Sequence, residues 1–209
     1  MPGAAVVLAI LGPVTVVAAW LLIRSGRVSL WTVNGSLMPV LGAASLLTGQ
    51  VQTSRPSLGV GWVLFLGLTA GAGLYAATVA FMAIAGRWPP LARHTASLYE
   101  NRRDISLSLA IVVSALLVAP GEELLWRGVI LHALQEGIGS SPVAPVLAWG
   151  AYVAANAVSG SLPIVLGAVV GGAAWTTLAS LTGGVAASIV CHMVWTGLMV
   201  AFPPVPKTR

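Results

Sequence analysis

Glu122, Glu123, Arg127, Asn156 and His192 each interrupt a run of apolar residues. The first three share one segment, VAPGEELLWRGVIL, residues 118–131. A charged side chain at the centre of a bilayer costs about 2.5–3.5 kcal/mol on insertion scales. Two adjacent carboxylates and an arginine in such a run therefore point to chemistry or to a buried ion pair. Glu123 and Arg127 are four residues apart and share a helix face, where they can pair. Pairing offsets most of the cost of both charges. It leaves Glu122 about 100° round the helix without a local partner, the situation of a general base that takes a proton from water. Pro120 and Gly121 stand just before it and predict a break or kink with room for that water. A buried pair that keeps two helices in register is the competing account; it explains Glu123 and Arg127 but not Glu122.

His192, in IVCHMVWTGLM, lies in the middle of another apolar run. Alone it would read as a hydrogen bond between helices; with carboxylates elsewhere in the bilayer it becomes a candidate to assist them. Thr196, on the same face, either bonds its own helix backbone or orients His192 or a water. Asn156, in WGAYVAANAV, follows Tyr152 by four residues. It reads equally as an interhelical hydrogen-bonding residue or as part of the site. Trp126 and Trp195 flank these positions and are expected to line it. His132 comes ten residues after Glu122, about 15 Å along a helix axis, too far to join. His94 sits in a basic stretch and reads as solvated. Cys191 is the single cysteine, which excludes an internal disulfide and a Cys-rich zinc site; it reads as a buried thiol.

The elements that must hold these side chains are membrane helices. Of 209 residues, 57% are hydrophobic and 7% charged, with a mean hydropathy of +0.94. A soluble domain carries about a quarter charged residues, so a water-facing surface cannot be covered, and disorder is excluded as well. At roughly 20 residues per span the chain has room for about seven spans in one integrated membrane domain. The net charge of +5 would suit a nucleic-acid partner, but the cations are too few and scattered to track phosphates. No nucleic acid is expected; the cations mark cytoplasmic loops. MPGAAVVLAI lacks a basic n-region, so no cleavable signal is read.

Spans read at 4–23, 28–49, 58–85, 105–135, 143–159, 161–180 and 183–202. Pro13 predicts a kink in the first, and Asn34, Gly35 and Pro39 interrupt the second. The third carries Gly59, Gly61, Gly67, Gly71 and Gly73, a spacing that permits close helix approach, although a chain with 24 glycines has some such spacing by composition. VQTSRPS, residues 51–57, is a polar turn. GRWPPLARHTASLYENRRD, residues 86–104, reads as a cytoplasmic loop with a short interfacial helix and interfacial Trp88 and Tyr99. With seven spans, Arg24, Arg27, Arg87, Arg93, Arg102, Arg103, Lys207 and Arg209 fall on one side and Arg55 alone on the other. The positive-inside rule then predicts a multi-pass protein of the plasma membrane with its N-terminus outside and its C-terminus cytoplasmic. No internal repeat supports an inverted-repeat transporter. A transporter or channel also predicts polar residues strung along a pathway, not gathered at one depth.

GEELLWRG resembles the EExxxR motif of the CPBP family, intramembrane proteases that include the CAAX prenyl proteases and bacterial bacteriocin-processing and immunity proteins. The order also fits: EExxxR, then an aromatic-x-x-x-His motif, then His-x-x-x-Asn, across about residues 110–202. The resemblance implies N-terminal helices and a loop over 1–104 and a four-helix catalytic core over 105–209. It implies that Glu122 activates water, that Glu123 and Arg127 form a supporting pair, and that His192 is the histidine of the third motif. Two positions depart. Asn156 stands in place of the second motif's histidine, with Tyr152 in the aromatic position, and Thr196 replaces the third motif's asparagine.

A catalytic zinc takes three His or carboxylate ligands plus water. Glu122 and His192 would supply two, and the Asn156 carbonyl is a poor third. A divalent metal such as zinc, making this a metalloprotease, is one expectation. The other is a metal-free site in which the Asn156 amide donates to a developing oxyanion. The implied reaction is endopeptidase cleavage of a hydrophobic or membrane-inserted peptide or protein, with membrane lipid around it. A catalytically degenerate relative, acting as a membrane regulator or immunity scaffold, is the alternative.

Overall fold

The computed structural model describes residues 3–100, 104–139 and 142–204. Among these residues there are eight helices and no strand. They are α1 (Gly3–Arg24), α2 (Leu30–Leu47), α3 (Val60–Ala85), α4 (Pro89–Glu100), α5 (Leu107–Ile138), α6 (Val143–Ala157), α7 (Leu162–Thr182) and α8 (Ala186–Ala201). The protein is an all-α polytopic bundle. Helices α1, α2, α3, α5 and α7 are long and apolar enough to cross a membrane. Where seven spans are expected, the other two, α6 and α8, are apolar but only 15 and 16 residues long. These two carry Tyr152, Asn156 and His192, and the longer helices surround them. The outer helices show apolar side chains such as Ile10, Val14, Leu68 and Ile84, as lipid as solvent requires.

Helices gain little hydrophobic drive from packing against one another in lipid, so small residues that allow close approach do the positioning. A Cβ added at Gly67 of α3 would lie 2.7 Å from Val190 Cβ, and one at Gly71 would lie 2.7 Å from the Cys191 carbonyl oxygen. These two glycines seat α8, and with it His192, against α3. Gly59, Gly61 and Gly73 face open space; their spacing reflects composition.

The expected interruption of the second span is absent: Asn34, Gly35 and Pro39 lie inside the unbroken α2, whose N-cap Ser29 accepts from the Thr32 N–H at 3.0 Å. The break expected at Pro120–Gly121 is also absent. Helix α5 continues through it with two wide π-helical stretches, Val112–Val118 and Leu124–Ile130, on either side of Ala119–Glu123. In a regular α-helix Pro120 would clash with the carbonyl four residues back, that of Leu116. That carbonyl belongs to the widened stretch, where the Ala119 N–H reaches back five residues to the Ser114 carbonyl, so the ring is accommodated without a break. Gly121 serves a contact instead. A Cβ there would collide with the Met38 carbonyl of α2, and one at Gly42 would lie 2.8 Å from Gly121 Cα. The two backbones cross beside Glu122.

Helix α4 is a short helix in the polar stretch, where one was expected; it buries Leu91 and Thr95. The polar turn at 51–57 is docked. Its Gln52 and Thr53 carbonyls each accept at 2.9 Å from the N–H groups of Val185 and Ala186, closing the α7–α8 connection. At the other end of the bundle, Arg24 donates to the Val158 carbonyl at 3.0 Å and Tyr75 donates to the Phe202 carbonyl at 2.9 Å. The end of α1, the α6–α7 turn, α4 and the end of α8 therefore gather together, with Arg24, Arg27, Arg87 and Arg93 among them. Arg102, Arg103, Lys207 and Arg209, on which the expected sidedness also rests, lie outside the described residues.

Candidate active site

Glu122 and Glu123 leave α5 in different directions and meet different surroundings. Glu123 is completely buried. Its Oε1 accepts from Arg127 Nη1 at 3.1 Å, as expected from the four-residue spacing, and from His192 Nδ1 at 2.9 Å. Arg127 donates further to the Gly172 carbonyl at 3.1 Å and the Thr176 hydroxyl at 3.3 Å, and its guanidinium lies 4.5 Å from the centre of the Tyr152 ring. The pair is thus one knot tying α5, α7 and α8. A carboxylate paired with arginine is acceptor-only, so His192 places its proton on Nδ1. Its Nε2 has no partner among the described residues.

Glu122 lines a cavity of about 530 Å³ together with Tyr152, Asn156, Trp175, His192 and Thr196. Most of the remaining wall is apolar. Glu122 has no partner on its own helix, but it has one on α6: Tyr152 donates its hydroxyl to Oε2 at 2.7 Å. A partner thirty residues away in sequence is invisible to helical spacing. Asn156, expected to aim its amide at the reaction, donates one N–H to the Tyr152 carbonyl of its own helix at 3.0 Å. Thr196 bonds neither its own helix backbone nor His192. Its buried hydroxyl has no partner among the described residues and lines the cavity.

Two residues that sequence reasoning passed over complete the site. Trp175 stacks on His192, ring centres 3.5 Å apart and planes 14° from parallel, fixing the imidazole plane. Gly172 lets α6 and α7 approach: a Cβ there would lie 2.9 Å from Tyr152 Cδ1. The signal was available in GGAAWTT, a tryptophan and a threonine among small residues in an otherwise bland span. Of the two tryptophans expected to line the site, Trp195 does so and donates to the Thr78 hydroxyl at 3.1 Å. Trp126 packs behind it, edge-on to Tyr152 at 5.3 Å. His132 pairs with Glu136 at 3.3 Å, apart from the cavity. His94, expected to be solvated, is half-buried and accepts from the Leu162 N–H at 3.4 Å.

The donor set is short for a metal. Among the described residues no three His, Cys, Asp or Glu side chains gather. Glu122 and His192 bring two strong donors to the cavity, but one Glu122 oxygen and one His192 nitrogen are already bonded to Tyr152 and Glu123. The third candidate, Asn156, offers an amide oxygen, a weak donor for zinc.

Residues 104–198 match the family described as Type II CAAX prenyl endopeptidase Rce1-like. That stretch includes Glu122, Tyr152, Asn156, His192 and Thr196 and omits α1–α4. No curated protein and no solved structure matches the chain.

Proposed function

Residues 104–198 are a domain of the Rce1-like family of type II CAAX prenyl endopeptidases, and on that premise we propose that the protein is an intramembrane endopeptidase in which Glu122 activates water. The observation that carries this reading is the unequal treatment of two neighbouring carboxylates. Glu123 is completely buried with Arg127 and His192 both on its Oε1, whereas Glu122 has one oxygen held by Tyr152 and faces a cavity large enough for a peptide segment.

Glu122 Oε1 takes a proton from water as the water oxygen attacks the scissile carbonyl carbon. The carbonyl oxygen then carries negative charge, and fixed donors that meet it lower the barrier. Thr196 is the group with a hydroxyl to spare, and Asn156 retains a second N–H. The tetrahedral centre collapses, the C–N bond breaks, and Glu122 returns its proton to the departing amine. His192 Nε2 accepts a hydrogen bond from the water or the amine, while Glu123 holds the ring's other nitrogen. No step passes through a metal, because the donor set is incomplete for one. The apolar walls suit a hydrophobic or membrane-inserted peptide.

The test compares peptide termini, by mass spectrometry, in membranes of cells producing the wild-type protein or Glu122→Gln. New termini present with wild type and absent with the variant support the enzyme. Identical termini, with a cellular phenotype that survives Glu122→Gln, identify a non-catalytic scaffold of the same fold.

A further inference from the structure

A second pocket, of about 610 Å³, lies beside the cavity at the arginine-bearing end of the bundle. Its polar wall includes Arg24 at the end of α1, Ser29 before α2, Arg93 and His94 on α4, Asp104, and Ser161 before α7. Its apolar wall, including Trp20, Leu30, Trp31 and Leu98, is shared with the catalytic cavity. We propose that this pocket holds the phosphate of a membrane phospholipid whose headgroup carries a hydrogen-bond donor, ethanolamine or glycerol.

Several observations converge on that ligand. Arg24 uses Nη1 on the Val158 carbonyl, which fixes the guanidinium in place with other N–H groups unspent. Arg93 makes no ion pair among the described residues and is exposed on α4. His94 accepts through Nδ1 from the Leu162 N–H, so its neutral ring carries the proton on Nε2 and is a further donor. Guanidinium groups bind phosphate oxygens by charge-assisted hydrogen bonds. Asp104 opposes a bare anion in the same pocket. It accepts from an ammonium or a hydroxyl, and choline offers neither. The shared wall joins a polar compartment to an apolar one, the shape of an amphiphile: phosphate against the arginines, chain along Trp20 and Leu30. A soluble phosphate would leave that wall unmatched. The chain crosses a membrane, and its arginine-bearing helix ends are where lipid phosphates lie.

Purified protein exchanged into vesicles of phosphatidylethanolamine, phosphatidylglycerol or phosphatidylcholine, then extracted, would be assayed for retained phospholipid by native mass spectrometry. Retention of the first two should exceed that of phosphatidylcholine by about tenfold, the worth of one hydrogen bond to a charged group. Arg93→Gln should lower that retention by a similar factor, Arg93→Lys should keep most of it, and Arg27→Gln, a nearby exposed arginine outside the pocket, should leave it unchanged. Asp104→Asn should remove the advantage of ethanolamine over choline. Equal retention of all three lipids, or no change on Arg93→Gln in protein with an unaltered thermal transition, would overturn the proposal. So would displacement of the lipid by millimolar inorganic phosphate, which identifies a free-phosphate site. These outcomes are independent of peptide cleavage.

Discussion

Two carboxylates stand side by side on α5, and the bundle treats them in opposite ways. Glu123 faces packed protein and receives Arg127 and His192 at 3.1 and 2.9 Å. Glu122 faces the cavity and receives one phenol at 2.7 Å. The difference teaches how a membrane helix bundle accommodates charge in lipid. A buried ion is tolerable when its counter-ion and hydrogen bonds are all protein groups in fixed places, and such an ion then works as a fastener. A carboxylate with no counter-ion is tolerable where it lines a cavity that water can reach, and it is then free to exchange protons. The two roles fall on consecutive residues because consecutive helical positions point about 100° apart.

The sharpest way to break this contrast is to remove the fastener. Arg127→Ala strands Glu123 as a buried charge and should cost about 3–5 kcal/mol of stability, read as a lower thermal transition in detergent and lower yield. Arg127→Lys should rescue it poorly, because an ammonium cannot reproduce the planar set of bonds to Glu123, Gly172 and Thr176. An unchanged transition for Arg127→Ala would erase the distinction.

The complementary change is Glu122→Gln. It should leave the thermal transition in place and lower cleavage by about 10²–10⁴, the usual contribution of a general base. Next in size is Thr196→Val, which keeps the shape and removes the spare hydroxyl. Cleavage should fall by about 10², the lower end for loss of an oxyanion donor. Asn156→Ala should cost less than Thr196→Val, since one Asn156 N–H is already committed to its own helix; the reverse order would return the oxyanion role to Asn156. Tyr152→Phe removes the 2.7 Å hydrogen bond to Glu122 and should lower the rate by roughly tenfold, the worth of one bond to a charged group. The smallest expected effect is that of a chelator. A donor set two strong ligands deep should leave cleavage unchanged by metal removal, and inhibition reversed by zinc would replace the metal-free mechanism.

Much of the contrast was legible in EELLWRG. The cost of charge in lipid marks both carboxylates as purposeful, and the four-residue step pairs one of them with Arg127. Helical spacing could not reveal that His192 joins Glu123, or that Tyr152 holds Glu122, because both bonds cross between helices far apart in sequence. Trp175 was missed for a related reason. A tryptophan in an apolar span is unremarkable until the ring it stacks on is known. The wide turns of α5 were read as a break or kink at Pro120, since the penalty of proline is a local rule and its relief through a five-residue hydrogen bond is a property of the folded helix.

By itself the sequence determined the solvent and the class of fold: too few charges for water, enough apolar length for a helical bundle, and charges confined to a few costly positions. It also determined the pairing of Glu123 with Arg127, because that contact lies within one helix turn. Only the tertiary structure decided which donors from other helices reach each carboxylate, Tyr152 for Glu122 and His192 for Glu123. Those outcomes depend on where α6, α7 and α8 stand against α5; Gly67 and Gly71 seat α8 against α3 and Gly172 seats α7 against α6, at contacts where an added methyl group would overlap the neighbour. Close approach is a relation between two surfaces, and one strand of text specifies each surface without saying which other it will meet.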